Sequence, residues 1–142
     1  MIVLDTTVLV YATGTPSPFR EPCRRLLAAV ASGGLTATTT VEVIQEFVHV
    51  RSRRQGRDDA AALGSSYAVL LAPLMPVDAG DLERGLQLFR SVEALGAFDS
   101  VLAAVALARQ AAALVSADAA FAAVPGLNAV VPDDESVGGL LT

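Results

Sequence analysis

The 142-residue sequence predicts an α/β fold, a parallel sheet wrapped by helices on both faces. Three observations carry this. Short apolar runs alternate with longer segments of helical period along the whole chain. The first run, Ile2–Leu4, is continuous and rich in β-branched residues, as suits a strand buried on both faces. Asp5 and Asp118 each stand where such a run ends, at the strand carboxyl ends where open α/β sheets place their ligands.

The elements follow in order. Asp5 after the first strand either caps the next helix or reaches a ligand, and on this stretch alone the two readings are even. A second apolar stretch, Val8–Tyr11, leads into a loop over Thr13–Pro18 with Gly14, Pro16 and Pro18. Leu26, Leu27 and Val30 recur at helical spacing within Glu21–Ala31, and Gly33–Gly34 ends that helix. Leu35–Thr38 reads as a short strand. Thr39 or Thr40 caps a helix over Val41–Arg54, whose interior face is led by Val43, Ile44, Phe47, Val48 and Val50. Gly56 breaks it, and Asp58–Leu71 returns as the second arm of a helical hairpin that Pro73 closes.

Leu74–Val77 reads as another short strand, and Asp78–Leu95 as an amphipathic helix with Leu82, Leu86 and Phe89 on one face. Gly96 ends it, and Phe98–Ala113 forms the next helix with Asp99 in its first turn. Leu114–Ala117 is a strand ending at Asp118, a turn containing Phe121 follows, and Leu127–Val131 is the last strand. Residues 1–132 form a single domain. The glycine-bearing tail, residues 133–142, is expected to be flexible unless a partner holds it.

Composition narrows the function. The chain is 53% hydrophobic and 18% charged, a globular balance. Its mean hydropathy is +0.52, but no uninterrupted apolar stretch approaches the roughly 20 residues of a spanning helix. The longest candidate, Val101–Ala108, is bracketed by Asp99 and Arg109. The start lacks a basic segment and Asp5 interrupts its apolar run, so no secretory signal or membrane role is expected and the location is read as cytoplasmic. Cys23 is the single cysteine, which excludes an intrachain disulfide and a cysteine-based metal cluster. Net charge is −5, at first sight unsuited to a nucleic-acid partner. Setting aside four acids that share a metal site would leave −1. All ten basic residues are arginine, so mechanisms needing a lysine are excluded.

Strand carboxyl ends and helix N-termini share one edge of a parallel sheet, so Asp5, Asp99 and Asp118 can converge. Glu42 and Glu46, four apart on one face of the Val41–Arg54 helix, can join them. Clustered carboxylates raise one another's pKa unless a cation neutralises them, and hard oxygen donors suit Mg²⁺ or Mn²⁺. Such ions support phosphodiester hydrolysis. Bland readings stand beside this one: Asp99 as a cap, Asp118 as a turn starter, and Glu42 with Glu46 as a solvated face. His49, the only histidine, reads as a surface residue. Arg51, Arg53, Arg54 and Arg57 either complement a helix dipole or grip phosphates, and the second reading is mildly preferred.

Four motifs then stand in order: MIVLDTTVLVYA, ATTTVEVIQEFVHV, GAFDSVLAAVA and LVSADAAF. Together they resemble the PIN-domain ribonucleases, and among these the VapC toxins of bacterial toxin–antitoxin pairs, from Met1 to about Pro132. Each motif is short; the ordered set is fairly specific. The resemblance implies a three-layer α/β/α PIN-like domain and Mg²⁺- or Mn²⁺-dependent cleavage of RNA. It also implies inhibition by a small cognate antitoxin protein and, commonly, a homodimer. Carried over residue by residue, the family acids fall on Asp5, Glu46, Asp99 and Asp118, as catalytic residues and metal ligands. Glu46–Phe47 fits the family glutamate better than Glu42–Val43, which leaves Glu42 as an accessory candidate. One departure is Thr7, where the family commonly has asparagine; its hydroxyl can still bond a neighbouring carboxylate.

The rivals fare less well. Phosphatases with an aspartate nucleophile need a second Asp where Thr7 stands and a basic residue, commonly lysine, at the phosphate. Phospho-receiver domains need a lysine too, and the Gly-Lys-Ser/Thr element of a P-loop is missing. The alternative from another class is a catalytically inactive PIN-like protein–protein interaction module. Four retained acids speak against it, because clustered unpaired carboxylates destabilise a scaffold that binds no metal.

Overall fold

A computed structural model describes all 142 residues. The chain order is β1 (Ile2–Leu4), α1 (Thr6–Thr13), α2 (Arg20–Ala31), β2 (Ala37–Thr38), α3 (Val41–Gln55), α4 (Arg57–Leu70), α5 (Ala79–Ser91), α6 (Ala97–Ala108), β3 (Ala113–Val115), a 3-10 turn (Ala119–Ala123), β4 (Ala129–Val130) and α7 (Asp134–Leu141). The four strands form one parallel sheet in the order β2-β1-β3-β4. The predicted three-layer α/β/α architecture is the one observed. β1 lies inside the sheet, flanked by β2 and β3, and all three of its residues are buried.

A run of threonines fastens the sheet to its connections. Thr38 Oγ1 shares its one proton between the carbonyls of Leu71 and Pro73, 3.0 and 2.8 Å away, and Thr39 Oγ1 donates to the Leu4 carbonyl at 2.6 Å. Thr40 caps α3, accepting the Val43 N–H at 3.2 Å. Buried hydroxyls in such numbers are tolerable because each finds an acceptor or donor. Val43, Ile44 and Phe47 carry the buried face of α3 into a core shared with β1 and β3.

One element differs from the sequence reading. Leu74–Val77 forms no strand; only Met75 makes a single parallel bridge, to Thr40. Helix α5 carries Leu82, Leu86 and Phe89 on one face, as read, and turns that face outward: each is 48% exposed. Gly85 is the reason. A Cβ there would stand 2.7 Å from the Val101 Cα, so α5 and α6 meet backbone to backbone along the Gly85 side. The tail forms α7. Asp133 caps it through the Ser136 N–H at 2.7 Å, Val137 is fully buried, and Arg25 of α2 pairs with Asp134 at 2.9 Å. No helix is long and apolar enough to cross a membrane.

Candidate active site

Asp5, Glu46, Asp99 and Asp118 all line one cleft of about 460 Å³ at the carboxyl edge of the sheet. Asp5 follows β1, Asp118 lies just beyond β3, Asp99 is in the first turn of α6, and Glu46 is in the second turn of α3. β1 and β3 pair as Leu4↔Val115, and the next register step sets Asp5 beside Ser116.

That step organises Asp5. Ser116 Oγ donates to Asp5 Oδ2 at 2.7 Å and Thr7 Oγ1 donates to the same oxygen at 2.9 Å. A hydroxyl has one proton to give, so both are committed, and the 3.3 Å approach of Thr7 Oγ1 to Ser116 Oγ is a contact between lone pairs. The two hydroxyls in turn accept the N–H groups of Ala117 and Asp118 at 2.9 and 3.0 Å. Thr7 thus fills the orienting role expected of it. Ser116 escaped the sequence reading, though extending the β1–β3 pairing by one residue would have found it. With Oδ2 saturated, Asp5 Oδ1 is left to the cleft.

The bland readings divide. Asp5 does cap α1, through a long 3.4 Å contact with the Thr7 N–H. Asp118 does start a turn, its Oδ1 accepting the Ala120 N–H at 2.9 Å. Asp99 is not a cap: Gly96 holds that position, with the Ser100 hydroxyl on its carbonyl at 2.8 Å. Burial, then the charges of Asp5, Asp118 and Glu46, push the Asp99 carboxyl up to about 6. Burial and the Asp5 charge raise Glu46 as well.

A second cleft of about 270 Å³ opens on the far side of Asp5, Glu46 and Asp99, against Phe98 and Val101. Glu42 borders it, and Glu42 Oε2 is buried with no hydrogen-bond partner. Glu46 borders both clefts and Glu42 only this one. Hard carboxylate donors with raised pKa values and an orphaned oxygen are a chemistry that fits a divalent cation. As the side chains stand, no three of them close into a coordination set.

His49 is exposed on α3, as expected. The arginine segment behaves differently from the preferred reading at one position. Arg51 forms a two-pronged pair with Asp59, at 2.6 and 3.3 Å, and donates to the Thr13 carbonyl at 3.0 Å. It ties α3 to α4 and to the end of α1, and its guanidinium is not free for phosphate.

Comparison with known proteins bears on the family and the fold. The sequence model of the PIN domain matches residues 2–127. Ribonuclease VapC7 of Mycobacterium tuberculosis is 53% identical over 142 residues, 99% of this chain and 98% of the relative. The VapC ribonuclease Mb1869c of Mycobacterium bovis is 26% identical over 128 residues, covering 90% and 98% respectively. Among solved structures, the M. tuberculosis toxin VapC20, described as cleaving the sarcin-ricin loop, superposes with a TM-score of 0.73 over 87% of this chain and 94% of its own. At 18% identity that likeness concerns the fold.

Proposed function

Starting from the PIN-domain family, to whose VapC members this chain belongs, we propose that it is a Mg²⁺- or Mn²⁺-dependent endoribonuclease acting as the toxin of a toxin–antitoxin pair. One observation carries the reading: four acids line a single cleft, where burial, and then the charges of the other three, drive Asp99 up to about 6. A cluster of this kind costs folding energy without an ion and becomes useful with one.

Asp5, Glu46, Asp99 and Asp118 would hold the cation, with Glu42 as an accessory donor. The bound cation would supply charge neutralisation at the scissile phosphate and an acidified water. Within the chain, Ser116 and Thr7 fix Asp5 so that Oδ1 faces the cleft. The Ala120 N–H does the same for Asp118, leaving Oδ2 for the site. Asp99 has no hydrogen bond to stabilise its charge and without an ion keeps its proton up to about pH 6; a bound cation would take the place of that proton. RNA is the substrate that the names of the relatives suggest, and a small cognate antitoxin is the corresponding partner.

Asp99→Asn should lower RNA cleavage in Mg²⁺ or Mn²⁺ by at least about a hundredfold and relieve growth inhibition, while the circular dichroism spectrum stays unchanged. A folded, fully active variant would sink this mechanism. A native chain that cuts no RNA with either ion would leave the inactive interaction module. A homodimer is supported by the outward row Leu82, Leu86 and Phe89, continued by Phe98 at 74% exposure, an apolar surface of the kind that partners cover. Sedimentation velocity should give twice the chain mass at micromolar concentration; a monomer would remove the dimer from the proposal.

A further inference from the structure

The acid-lined cleft does not end at the carboxylates. It runs into a second depression of about 340 Å³, and the two share Val10, Gly14, Thr15, Val50 and Arg54. The outer part is bordered by Arg20 from the first turn of α2 and by Arg54 from the last turn of α3. Arg24, Arg25, Arg51, Arg84 and Arg109 all pair with carboxylates; Arg20 and Arg54 pair with none. Arg20 Nε is moreover buried with no hydrogen-bond partner. A guanidinium N–H withheld from both water and protein is costly. An acceptor bound in the depression that Arg20 borders could engage this guanidinium once the side chain adjusts.

The surroundings are stiff. Arg51, held by Asp59, donates to the Thr13 carbonyl and fixes the loop that forms one wall. At Gly14 a Cβ would lie 2.9 Å from the Val10 carbonyl oxygen, so the backbone turns there without room for a side chain. Two unpaired guanidiniums at one end of a cleft, with four carboxylates at the other, make a charge gradient on a chain whose net charge is −5. Guanidinium forks match phosphate oxygens in geometry and charge.

We infer that Arg20 and Arg54 form a phosphate-binding subsite that holds a backbone phosphate of single-stranded RNA beside the cleavage centre. This deepens the ribonuclease reading and rests on it for the identity of the polyanion. Arg54 borders both parts of the cleft and so links the subsite to the acids; Arg51 positions the wall and touches no substrate.

The test compares Arg20→Gln/Arg54→Gln with the native arginines, both in an Asp99→Asn background with Mg²⁺, by fluorescence anisotropy of a labelled 12-nucleotide single-stranded RNA. The double variant should bind about tenfold more weakly at low salt. The slope of log affinity against log salt should flatten by about 0.7, the value for one single-strand phosphate contact. Lysine at both positions should restore the slope. An unchanged slope, or an equal loss of affinity at every salt concentration, overturns the subsite. Should the double variant melt early, Arg54→Gln alone, at an exposed position, is expected to show about a threefold loss with a flatter slope, and no change there overturns it equally. Wild-type protein that binds RNA but never cuts it defeats the ribonuclease reading while the slope comparison still decides the subsite. Cleavage with an unaltered slope defeats the subsite alone, and absence of RNA binding defeats both.

Discussion

Asp81 and Asp99 are both carboxylates drawn out of water, and the chain treats them in opposite ways. Asp81, in the first turn of α5, has no exposed side-chain surface. Around it stand Arg84 at 2.7 Å, Arg109 at 3.1 and 3.2 Å, and the Asp78 N–H at 3.0 Å, the last completing a capping box. Burial alone would raise its pKa; the Asp78 N–H and the two guanidiniums outweigh it and hold the carboxyl down at about 2. Around Asp99 burial raises the pKa and every neighbouring charge, from Asp5, Asp118 and Glu46, raises it further. An acid that serves the fold is surrounded by donors and cations. The acids of the cleft, though Asp5 and Asp118 accept hydrogen bonds, pair with no cation of the chain, and their neutralisation is left to something outside it.

The sharpest way to break this contrast is to remove the charge that the fold uses. Asp81→Asn leaves Arg109 and Arg84 without their carboxylate and weakens the clasp between α5 and the end of α6. Both guanidiniums retain some access to water, which places the loss at the low end for a broken buried pair, about 3 kcal/mol in urea unfolding. The sign with pH follows from the depressed pKa. The stabilisation from Asp81 is complete above about pH 4 and disappears as pH falls toward 2, so the native and variant curves should converge in acid. A variant within 0.5 kcal/mol of the native protein at pH 7 would show that Asp81 does not have this role.

Asp81 also marks where sequence reasoning stops. Local signals were legible: the buried run that delivers Asp5, the Thr40 cap, Asp99 in a first turn, and Asp118 at a strand end. Each rests on chemistry within a few residues. The facing of α5 was not legible, because periodicity reports that a helix has an apolar face without saying what covers it. Gly85, which carries no hydrophobic signal, decides the matter by letting Val101 approach, and the apolar row turns outward. The pairing of Asp81 with Arg109 joins two helices through tertiary contact, so no local pattern announces it. Ser116 was hidden for a similar reason: it matters only once β1 and β3 are in register. The docking of the tail is hidden as well, because its glycines, Gly138 and Gly139, outweigh in composition the single Val137 that is buried.

A smaller effect of opposite sign should come from the cleft. Because the folded-state pKa of Asp99 lies near 6, above the ordinary 3.8, the native protein holds a proton there that the unfolded chain releases. Stability in EDTA should therefore decline as pH rises from about 4 to 6, and the loss should persist above that range. Asp99→Asn removes the charge without removing the shape. At pH 7.5 in EDTA it should raise Tm by about 3 °C, on the order of 1 kcal/mol once solvent screening of a partly exposed group is allowed for. At pH 4, where the native carboxyl is already protonated, the gain should vanish. Millimolar Mg²⁺ should narrow the gap at pH 7.5 by stabilising the native protein and scarcely affecting the variant, and should do little at pH 5, where protons compete for the same oxygens. If Asp99→Asn instead destabilises the metal-free protein at neutral pH, Asp99 belongs with Asp81 as a structural acid, and the division between the two groups of carboxylates fails.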